Sequence, residues 1–378
     1  MNPRVLVLGA GYAGLSLARR LERLLPDAAE LTVVDASADH LVQHELHRLV
    51  RYPDLVDAIT VPLDETLDRA TVVTARVESV DRETRTVHTD EGALDYDVCA
   101  VCLGAETAFY GLPGLGANAT PLKRVRHAER IRERFLALDA GDRVTVCGAG
   151  LSGVQVAGEL AALGESADVG AEVRLVEREP TVAPTFPAPF AEAVRAALDR
   201  AGVAVETGVQ VTAATADEVQ FAARDPLAHD LLVWTGGIRG PDAVGGERPT
   251  VRADLRLDDR TFAVGDAARV VDADGEPVPA SAAAAIREAS VAATNVVRVV
   301  ERLRDGGGFA PRMERYRFDV PGWIVSVGDD AVARVGGAVV TGTAARAMKT
   351  TVGAGHLTAV GAVGRATDLV REELGGHG

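Results

Sequence analysis

Cysteine, lysine and long apolar runs are all scarce in this chain of 378 residues. Its three cysteines, Cys99, Cys102 and Cys147, do not make a disulfide framework, so a reducing compartment is the simplest interpretation. No apolar run reaches the ~18 residues that a membrane-spanning helix needs, and no signal-peptide pattern precedes the first strand. We therefore expect a cytoplasmic protein whose length allows two or three domains.

Basic residues are outnumbered by acidic ones. The chain has 55 acidic residues against 40 basic ones, and its formal net charge is -15. Binding to nucleic acid requires clustered Lys and Arg that neutralise phosphates. This balance excludes a nucleic-acid partner. Because Arg is also strongly favoured over Lys, the composition is typical of a salt-adapted protein, with an ordinary acidic enzyme as the alternative.

Cys99 and Cys102 form a C-x-x-C spacing, but their surroundings do not favour redox chemistry. They lie within YDVCAVCLG, an apolar pattern typical of a buried strand. The pattern lacks an exposed helix N-terminus, which would lower the pKa of a reactive thiol. We expect buried strand cysteines rather than a redox pair.

Two copies of a strand, a glycine turn and a helix organise the chain: RVLVLGAGYAGLSLARRL at residues 4–21 and RVTVCGAGLSGVQVAGEL at residues 143–160. Their Gly-x-Gly-x-x-Gly glycines are Gly9, Gly11 and Gly14, and Gly148, Gly150 and Gly153. Each copy has the strand and helix context that a dinucleotide fingerprint requires. Asp35 and Glu177 end the following strands, where a carboxylate binds an adenosine ribose. The sequence therefore predicts two dinucleotide sites.

Glycines also follow three other strand patterns. Gly104 ends the strand YDVCAVCLG, and Gly236 and Gly237 end DLLVWTGG; at such positions the backbone can approach a ligand closely. Gly265 and Asp266 follow the strand in TFAVGDA. Asp266 could cap the next helix, but beside two fingerprints we expect it to contact the ribityl and phosphate region of a flavin.

His40, His44 and His47 lie at spacings of four and three residues in DHLVQHELHRLVRYP, so one helical face would carry them. A metal site is one interpretation, although no cysteine and few well-spaced carboxylates join them. A loop and helix beside a flavin is the preferred interpretation, and a packed or solvated helix is the third.

These motifs resemble the flavoprotein disulfide reductases with two dinucleotide-binding domains, the FAD-dependent pyridine nucleotide-disulfide oxidoreductase superfamily. Within it the chain most resembles the type II NADH dehydrogenases, single-subunit FAD enzymes that pass electrons from NADH to a membrane quinone. GAGYAGL resembles their FAD fingerprint, CGAGLSGVQVAGEL their NADH fingerprint and FAVGDA their second FAD motif. The segment from GWIVSVG to ARAMK resembles their C-terminal part.

The resemblance implies an α/β fold with two Rossmann-like dinucleotide-binding domains and a small C-terminal α+β module. An FAD domain made of residues 1–112 and 238–308 would be interrupted by an NADH domain at 113–237. The module at 309–378 would face the acceptor and make a dimer or membrane contact, so we expect the protein in the cytoplasm or at the inner face of the cell membrane.

The resemblance also assigns roles to individual residues. FAD contacts are implied at Gly9, Ala10, Gly11, Gly14, Asp35, Val77, Gly104, Gly265 and Asp266. NADH contacts are implied at Gly148, Gly150, Gly153, Glu177, Gly236 and Gly237. The candidates for catalysis, at the nicotinamide or on the acceptor side of the flavin, are Lys349, Gln155 and Arg287, and no metal site is implied.

Three departures from the family pattern bear on the acceptor. The paired glutamines of the family fall on Ala283 and Arg287, and its glutamate two residues after Gly153 is Gln155. We expect a helical tail from about Thr343 to Leu374, which is short and weakly apolar after Lys349. Its amphipathic stretch at residues 351–363 is as consistent with a dimer or core helix as with a membrane contact.

The function implied is hydride transfer from NADH to FAD, followed by electron transfer to a quinone. The alternative is a soluble NADH-dependent flavoprotein reductase that uses an electron-transfer protein or oxygen, and a third is an NADH-sensing flavoprotein similar to apoptosis-inducing factor. Glu177 favours NADH because a carboxylate repels a 2′-phosphate, whereas the neighbouring Arg178 would accommodate that phosphate. A sulfide:quinone oxidoreductase needs a pair of reactive cysteines, which the strand positions of the three cysteines disfavour.

Overall fold

The computed structural model of the chain describes residues 2–306 and 308–375. Two parallel sheets of five strands each form its centre. The first part of the chain forms β1 (Arg4–Leu8), α1 (Tyr12–Leu24), β2 (Glu30–Asp35), β3 (Asp39–Leu41), α2 (Val56–Ile59), β4 (Thr60–Pro62), β5 (Thr71–Thr74), β6 (Val77–Asp81), β7 (Thr86–Thr89), β8 (Gly92–Asp95), β9 (Val98–Val101) and β10 (Glu106–Thr107).

The middle of the chain forms α3 (Leu115–Asn118), β11 (Thr120–Pro121), α4 (Val125–Leu136), β12 (Arg143–Cys147), α5 (Leu151–Ser166), β13 (Glu172–Val176), α6 (Ala188–Arg200), β14 (Ala204–Glu206), β15 (Val211–Ala214), β16 (Glu218–Phe221), β17 (Leu227–Ala228) and β18 (Leu231–Trp234). The rest forms β19 (Ile238–Arg239), β20 (Thr250–Val251), β21 (Thr261–Ala263), β22 (Arg269–Val270), α7 (Ala282–Arg304), β23 (Gly322–Val327), β24 (Asp330–Val335), β25 (Ala338–Thr341), α8 (Thr343–Ala359) and α9 (Val363–Gly375).

The first parallel sheet has the strand order β21-β9-β1-β2-β5, and the second has the order β11-β18-β12-β13-β14. Strand β21 joins the first sheet after the chain has completed the second, so the second sheet is an insertion into the first. All residues of β9 and β18 are buried, as expected when helices or other layers cover both faces of a parallel sheet. The α/β fold class is therefore confirmed, while the residue boundaries of the domains stay predictions.

All three cysteines are free and buried, as the apolar strand patterns predicted. Cys99 and Cys147 lie in β9 and β12, and Cys102 directly follows β9. Burial raises the pKa of each thiol, and nearby carboxylates such as Glu288 and Glu177 add to the effect. The C-x-x-C spacing therefore has none of the thiolate character of a redox pair.

The histidine-rich segment does not form one helix face. His40 lies in β3, which pairs antiparallel with β4, whereas His44 and His47 lie in a 3-10 helix between the two strands. That element, residues Gln43–Val50, is called the histidine helix below. The expectation of a shared helical face was wrong because pairing with β4 holds His40 in extended backbone before the helix begins.

The C-terminal module consists of the antiparallel sheet β23-β24-β25 and the helices α8 and α9. The tail helix expected from the sequence is divided at residues 360–362, where Gly361 has a φ of 92° and the Arg19 guanidinium donates to the Val360 carbonyl at 2.7 Å. The amphipathic stretch at 351–363 is therefore split between two helices. None of the helices within the described residues combines the length and the hydropathy needed to cross a membrane.

The module packs against α5 through a very close backbone contact. A Cβ atom added to Gly158 of α5 would lie 2.5 Å from the Gly328 nitrogen and 2.7 Å from the Val327 carbonyl carbon. A side chain at this point would push β23 away from α5. The absence of a side chain at Gly158 thus sets the distance between the second parallel sheet and the C-terminal module.

We expect Gly158→Ala to lower the free energy of unfolding by about 1–3 kcal/mol, because the added methyl overpacks a rigid backbone contact. Gly355→Ala is the matched control, since Gly355 lies at an exposed position of α8 and an added Cβ meets nothing within 4 Å. The free energy of unfolding of the control should rise by about 0.4–1 kcal/mol. Chemical denaturation measures both variants, and a Gly158→Ala protein as stable as the wild type would contradict the close contact.

Candidate active site

The first glycine turn has the geometry of a phosphate-binding loop. Gly9 has a φ of 94°, and a Cβ added to it would lie 2.4 Å from the Cys102 carbonyl oxygen. A Cβ at Gly14 would lie 1.7 Å from the Gly9 oxygen, so helix and strand pack tightly. Beside Gly11, by contrast, an added Cβ meets nothing within 4 Å. The first and third glycines close the turn, and the second leaves room for a ligand at the N-terminus of α1.

The second turn repeats this geometry. Gly148 has a φ of 100°, and its added Cβ would lie 2.9 Å from Gly236 Cα. A Cβ at Gly153 would lie 1.8 Å from the Gly148 oxygen, while the space beside Gly150 is open. Both turns thus offer backbone N–H groups at a helix N-terminus to an anionic ligand.

An acidic residue closes each turn from the end of the next strand. Ala10 N–H donates to Asp35 Oδ2 at 2.6 Å, and Ser37 N–H donates to Oδ1 at 2.9 Å. Burial raises the pKa of Asp35, and these two hydrogen bonds oppose that shift. Ala149 N–H donates to Glu177 Oε2 at 2.6 Å in the same arrangement. Both carboxylates therefore stand where the sequence predicted ribose contacts.

Arg178 is exposed and paired with Glu179 beside the second turn. Its Nη2 donates to Glu179 Oε1 at 2.8 Å. This hydrogen bond, followed by the charges of Glu179 and Glu177, raises the pKa of Arg178. Glu179 N–H in turn donates to Glu177 Oε1 at 2.9 Å, so two carboxylates lie beside this guanidinium.

The remaining predicted cofactor residues lie around these turns. Gly104 has a φ of 69° and open space where a Cβ would stand. Val77 begins β6, at a β-bulge opposite β7, and is partly buried. Gly236 and Gly237 are covered by Tyr110, whose hydroxyl donates to the Gly236 carbonyl at 3.3 Å. No motif in the sequence pointed to Tyr110, which is 64% exposed and has a φ of 53°.

Gly265 and Asp266 line a small cleft at the start of α7 that Ser281 also lines. Gly265 N–H donates to Glu288 Oε2 at 2.7 Å, and burial raises the pKa of Glu288 to about 7. Arg248 Nε donates to the carbonyl of Asp266 at 2.7 Å. The Lys123 ammonium is close enough for the charge of Asp266 to act on it. Arg248 and Asp266 therefore lie together in this cleft, and the contact of Asp266 with a flavin stays a prediction.

Two of the three predicted catalytic residues meet in one buried group. Lys349 Nζ lies 3.2 Å from His47 Nε2 and donates to Ser326 Oγ at 3.0 Å, and His47 Nε2 lies 2.9 Å from Ser326 Oγ. Gln155 Nε2 lies 3.4 Å from the same His47 nitrogen, and Glu45 Oε2 lies 3.6 Å from Lys349 Nζ. These five residues are called the Lys349 cluster below.

Electrostatic interactions and burial give Glu45 and His47 of this cluster different protonation states. Burial opposes ionisation of Glu45, but the positive charges of Lys349 and Arg48 hold its pKa well below its ordinary value. Burial, reinforced by the charge of Lys349, lowers the pKa of His47. At neutral pH the cluster thus combines an ionised carboxylate with a neutral imidazole.

Arg287, the third predicted catalytic residue, lies elsewhere. Its Nη1 donates to the Ala283 carbonyl on its own helix at 3.1 Å, and its charge acts on the phenol of Tyr316. The structure therefore groups Lys349 with Gln155 and places Arg287 in a different environment.

A second polar cluster joins the first glycine turn to α8. The Tyr12 hydroxyl lies 2.5 Å from His44 Nδ1, His40 Nδ1 lies 2.8 Å from the Ala10 carbonyl oxygen, and His40 Nε2 lies 3.1 Å from His356 Nε2. Burial lowers the pKa of His40 to about 4 and that of His356 to about 3. These histidines are neutral ring donors and acceptors at neutral pH.

Sequence reasoning missed several members of these clusters. Glu45, Ser326 and His356 carry no motif, and the tertiary fold alone brings them to the site. Glu159 could have been noticed, because it is an acidic residue inside the apolar helical run GVQVAGEL, one turn after Gln155. Its environment is described below.

Comparison with known proteins agrees with this geometry. The family model described as pyridine nucleotide-disulphide oxidoreductase matches residues 3–289. The type II NADH:quinone oxidoreductase of Staphylococcus epidermidis is 28% identical over 404 aligned residues, which cover 96% of this chain and 97% of the relative. The enzyme of the same name from Staphylococcus aureus is 26% identical over 400 residues, with the same coverage.

Solved structures show the same fold at low identity. The NDH2 from Plasmodium falciparum in complex with NADH has a TM-score of 0.80 at 14% identity and covers 99% of this chain and 98% of its own. The sulfide:quinone oxidoreductase from Aquifex aeolicus has a TM-score of 0.82 at 18% identity, and the match covers 98% of this chain and 95% of that one. On the match of residues 3–289, the chain belongs to the pyridine nucleotide-disulphide oxidoreductase family and is an oxidoreductase.

Proposed function

We propose that this chain is an FAD-dependent NADH:quinone oxidoreductase. The observation that carries the proposal is the presence of two glycine turns with the same geometry, each closed by a carboxylate, in two parallel sheets of one chain. The relatives named type II NADH:quinone oxidoreductase span nearly the whole chain and support the same activity.

The first turn is the proposed FAD site. Gly11 leaves open space at the N-terminus of α1, Asp35 would bind the adenosine ribose, and Asp266 would face the ribityl chain. Val77 and Gly104 are proposed as further contacts. FAD supplies the hydride-accepting and electron-donating chemistry, and the protein supplies binding, orientation and charge.

The second turn is the proposed NADH site. Glu177 would bind the ribose, and Glu179 adds a second negative charge beside it. Because Arg178 is paired with Glu179, this surrounding repels a 2′-phosphate and favours NADH over NADPH. Gly236 and Gly237 would let the nicotinamide approach the flavin.

The Lys349 cluster is the proposed acceptor side. Lys349 and Ser326 offer donors to a quinone oxygen, and Gln155 and His47 complete a buried polar surface. The exposed apolar side chains of Met348 and Val352 on α8 support a peripheral membrane contact or a dimer contact of the module. The cysteines do not supply the reactive pair of a sulfide:quinone oxidoreductase, because burial raises their pKa.

A soluble reductase with another acceptor is the second candidate. The observation in its favour is that Ala283 and Arg287 stand where the resembled family has paired glutamines, and Arg287 lies apart from the Lys349 cluster in its contacts. The two candidates differ in acceptor and not in the NADH half-reaction.

Steady-state assays of the purified flavoprotein separate the two. With NADH in excess, we expect a short-chain quinone to give a rate well above the background with oxygen alone. Ferricyanide serves as the control for flavin reduction by NADH. The quinone assignment is wrong if ferricyanide or an electron-transfer protein is reduced while quinone adds nothing to the oxygen background.

We expect Gly11→Leu to give protein without the yellow absorbance of FAD, because the space beside Gly11 would be filled by the side chain. The matched variant Gly150→Leu should keep its flavin but lose reduction by NADH. Neither added Cβ meets a protein atom within 4 Å, so the losses would report on the ligands. Absorbance spectra before and after NADH addition measure both effects, and flavin retained in Gly11→Leu would contradict the assignment of the first turn.

We expect Glu177→Ala to raise the KM for NADH by roughly tenfold, since a charge-assisted hydrogen bond to the ribose contributes about 1.5 kcal/mol. Flavin content should stay at the wild-type level, because Asp35 and not Glu177 closes the FAD turn. Initial rates at varied NADH with ferricyanide as the acceptor give the value. An unchanged KM would remove Glu177 from the NADH site.

A further inference from the structure

Glu159 is a buried carboxyl group that the proposed function leaves without a role. It lies on α5, one helical turn after Gln155, and is 3% exposed. Among the residues that the structure describes, its Oε2 atom has no hydrogen-bond partner. Leaving a buried polar atom unpaired is costly, so such a group in a folded protein calls for an explanation.

The charges around Glu159 come from three elements besides its own helix. Lys349 of α8 is the strongest electrostatic neighbour, followed by Arg51 and Arg48 at the end of the histidine helix, and all three lower the pKa of Glu159. Asp329, in the turn after β23, raises it. Burial raises the pKa of Glu159 to about 7, although the cations lower it. This carboxyl therefore exchanges its proton near neutral pH.

The other titratable groups near Lys349 are poorly suited to exchanging a proton near neutral pH. Burial lowers the pKa of His47 and of His44, so both rings are neutral. The pKa of Glu45 lies well below its ordinary value because of Lys349, so it stays ionised. Gln155 does not ionise at all. Glu159 is thus the neighbour of Lys349 whose protonation changes most readily.

We propose that Glu159 holds the proton that the acceptor site delivers to a quinone during its reduction. The inference rests on the proposed function. Three polar atoms of the Lys349 cluster, Lys349 Nζ, His47 Nε2 and Ser326 Oγ, lie between 2.9 and 3.2 Å from one another. Glu159 lies one turn of α5 beyond Gln155, whose Nε2 is 3.4 Å from the same His47 nitrogen, so the carboxyl stands next to this hydrogen-bonded group. Glu159 is a positioning residue for the proton and not a quinone contact.

The atoms and electrons of this step balance. NADH supplies two electrons and one proton as a hydride, and a quinone needs two electrons and two protons to become a quinol. The second proton comes from the protein: a donor of the Lys349 cluster gives a proton to the quinol oxygen and takes one in return from the Glu159 carboxyl, whose O–H bond breaks and which is left as a carboxylate. Water outside the site then returns a proton to it.

Glu159→Gln tests the proposal, because glutamine keeps the shape and cannot release a proton. Ferricyanide takes electrons without protons, so the informative quantity is the quinone rate divided by the ferricyanide rate for the same preparation. We expect this ratio to fall roughly 100-fold, the low end for loss of a positioned proton donor. A change that only disturbed folding or flavin binding would lower both rates together and leave the ratio unaltered.

The pH dependence supplies a second measurement. Since Glu159 must be protonated to act, the wild-type quinone rate should decline as the pH rises through about 7, and Glu159→Gln should lose this decline. Glu159→Asp, which keeps a carboxyl group, should retain it. Glu165→Gln, at an exposed position of the same helix, should leave both ratio and profile as in the wild type.

Two results would overturn the inference, and they are distinguishable. If the wild type reduces quinone and Glu159→Gln keeps both the ratio and the decline, Glu159 does not hold the proton and the proposed function stands. If the wild type reduces ferricyanide but no quinone, the proposed function fails and this inference fails with it.

Discussion

The buried ammonium group of Lys349 is the constraint on which the arrangement of the site depends. A cation removed from water needs an ionised partner and hydrogen bonds on its remaining protons. Glu45 supplies the charge, and Ser326 and His47 supply the hydrogen-bonding atoms. Because these partners come from the histidine helix and β23 while Lys349 lies on α8, satisfying one ammonium group fixes three elements of the chain against one another. The close contact at Gly158 is what allows them to meet beside α5.

Both glycine turns offer backbone N–H groups to an anionic ligand, and the two turns differ in the charged side chains around them. Both turns present N–H groups at a helix N-terminus, and both hold their carboxylate with an N–H group from the second position of the turn. Around the second turn the charge is negative, through Glu177 and Glu179. The cleft at the start of α7 contains Arg248, and Lys123 lies near its aspartate. On the proposed function, the backbone sets the ligand class and the neighbouring charges set which dinucleotide each turn prefers.

The features that could be predicted from the sequence are local ones. A strand, a glycine turn, a helix and an acid at the next strand end lie within about 35 residues of each other, so the two turns and the positions of Asp35 and Glu177 could be predicted from the local pattern, and the fold class followed from the family resemblance that these motifs carry. Contacts across the chain could not be predicted this way: Glu45 and Lys349 are separated by most of the sequence, and no periodicity links them. The pairing of His40 with β4 and the interruption of the tail helix at Gly361 depend on tertiary contacts that the helical pattern does not show.

The Lys349 cluster provides a physical reason why position 155 carries a glutamine and not a carboxylate. Glu45 is already ionised there, and Glu159 lies within the field of the same ammonium group. A third carboxylate at position 155 would face two others with Lys349 and Arg48 as the nearby buried cations, and like charges in a poorly solvated site repel strongly. Gln155 keeps a hydrogen-bonding side chain beside His47 without adding charge.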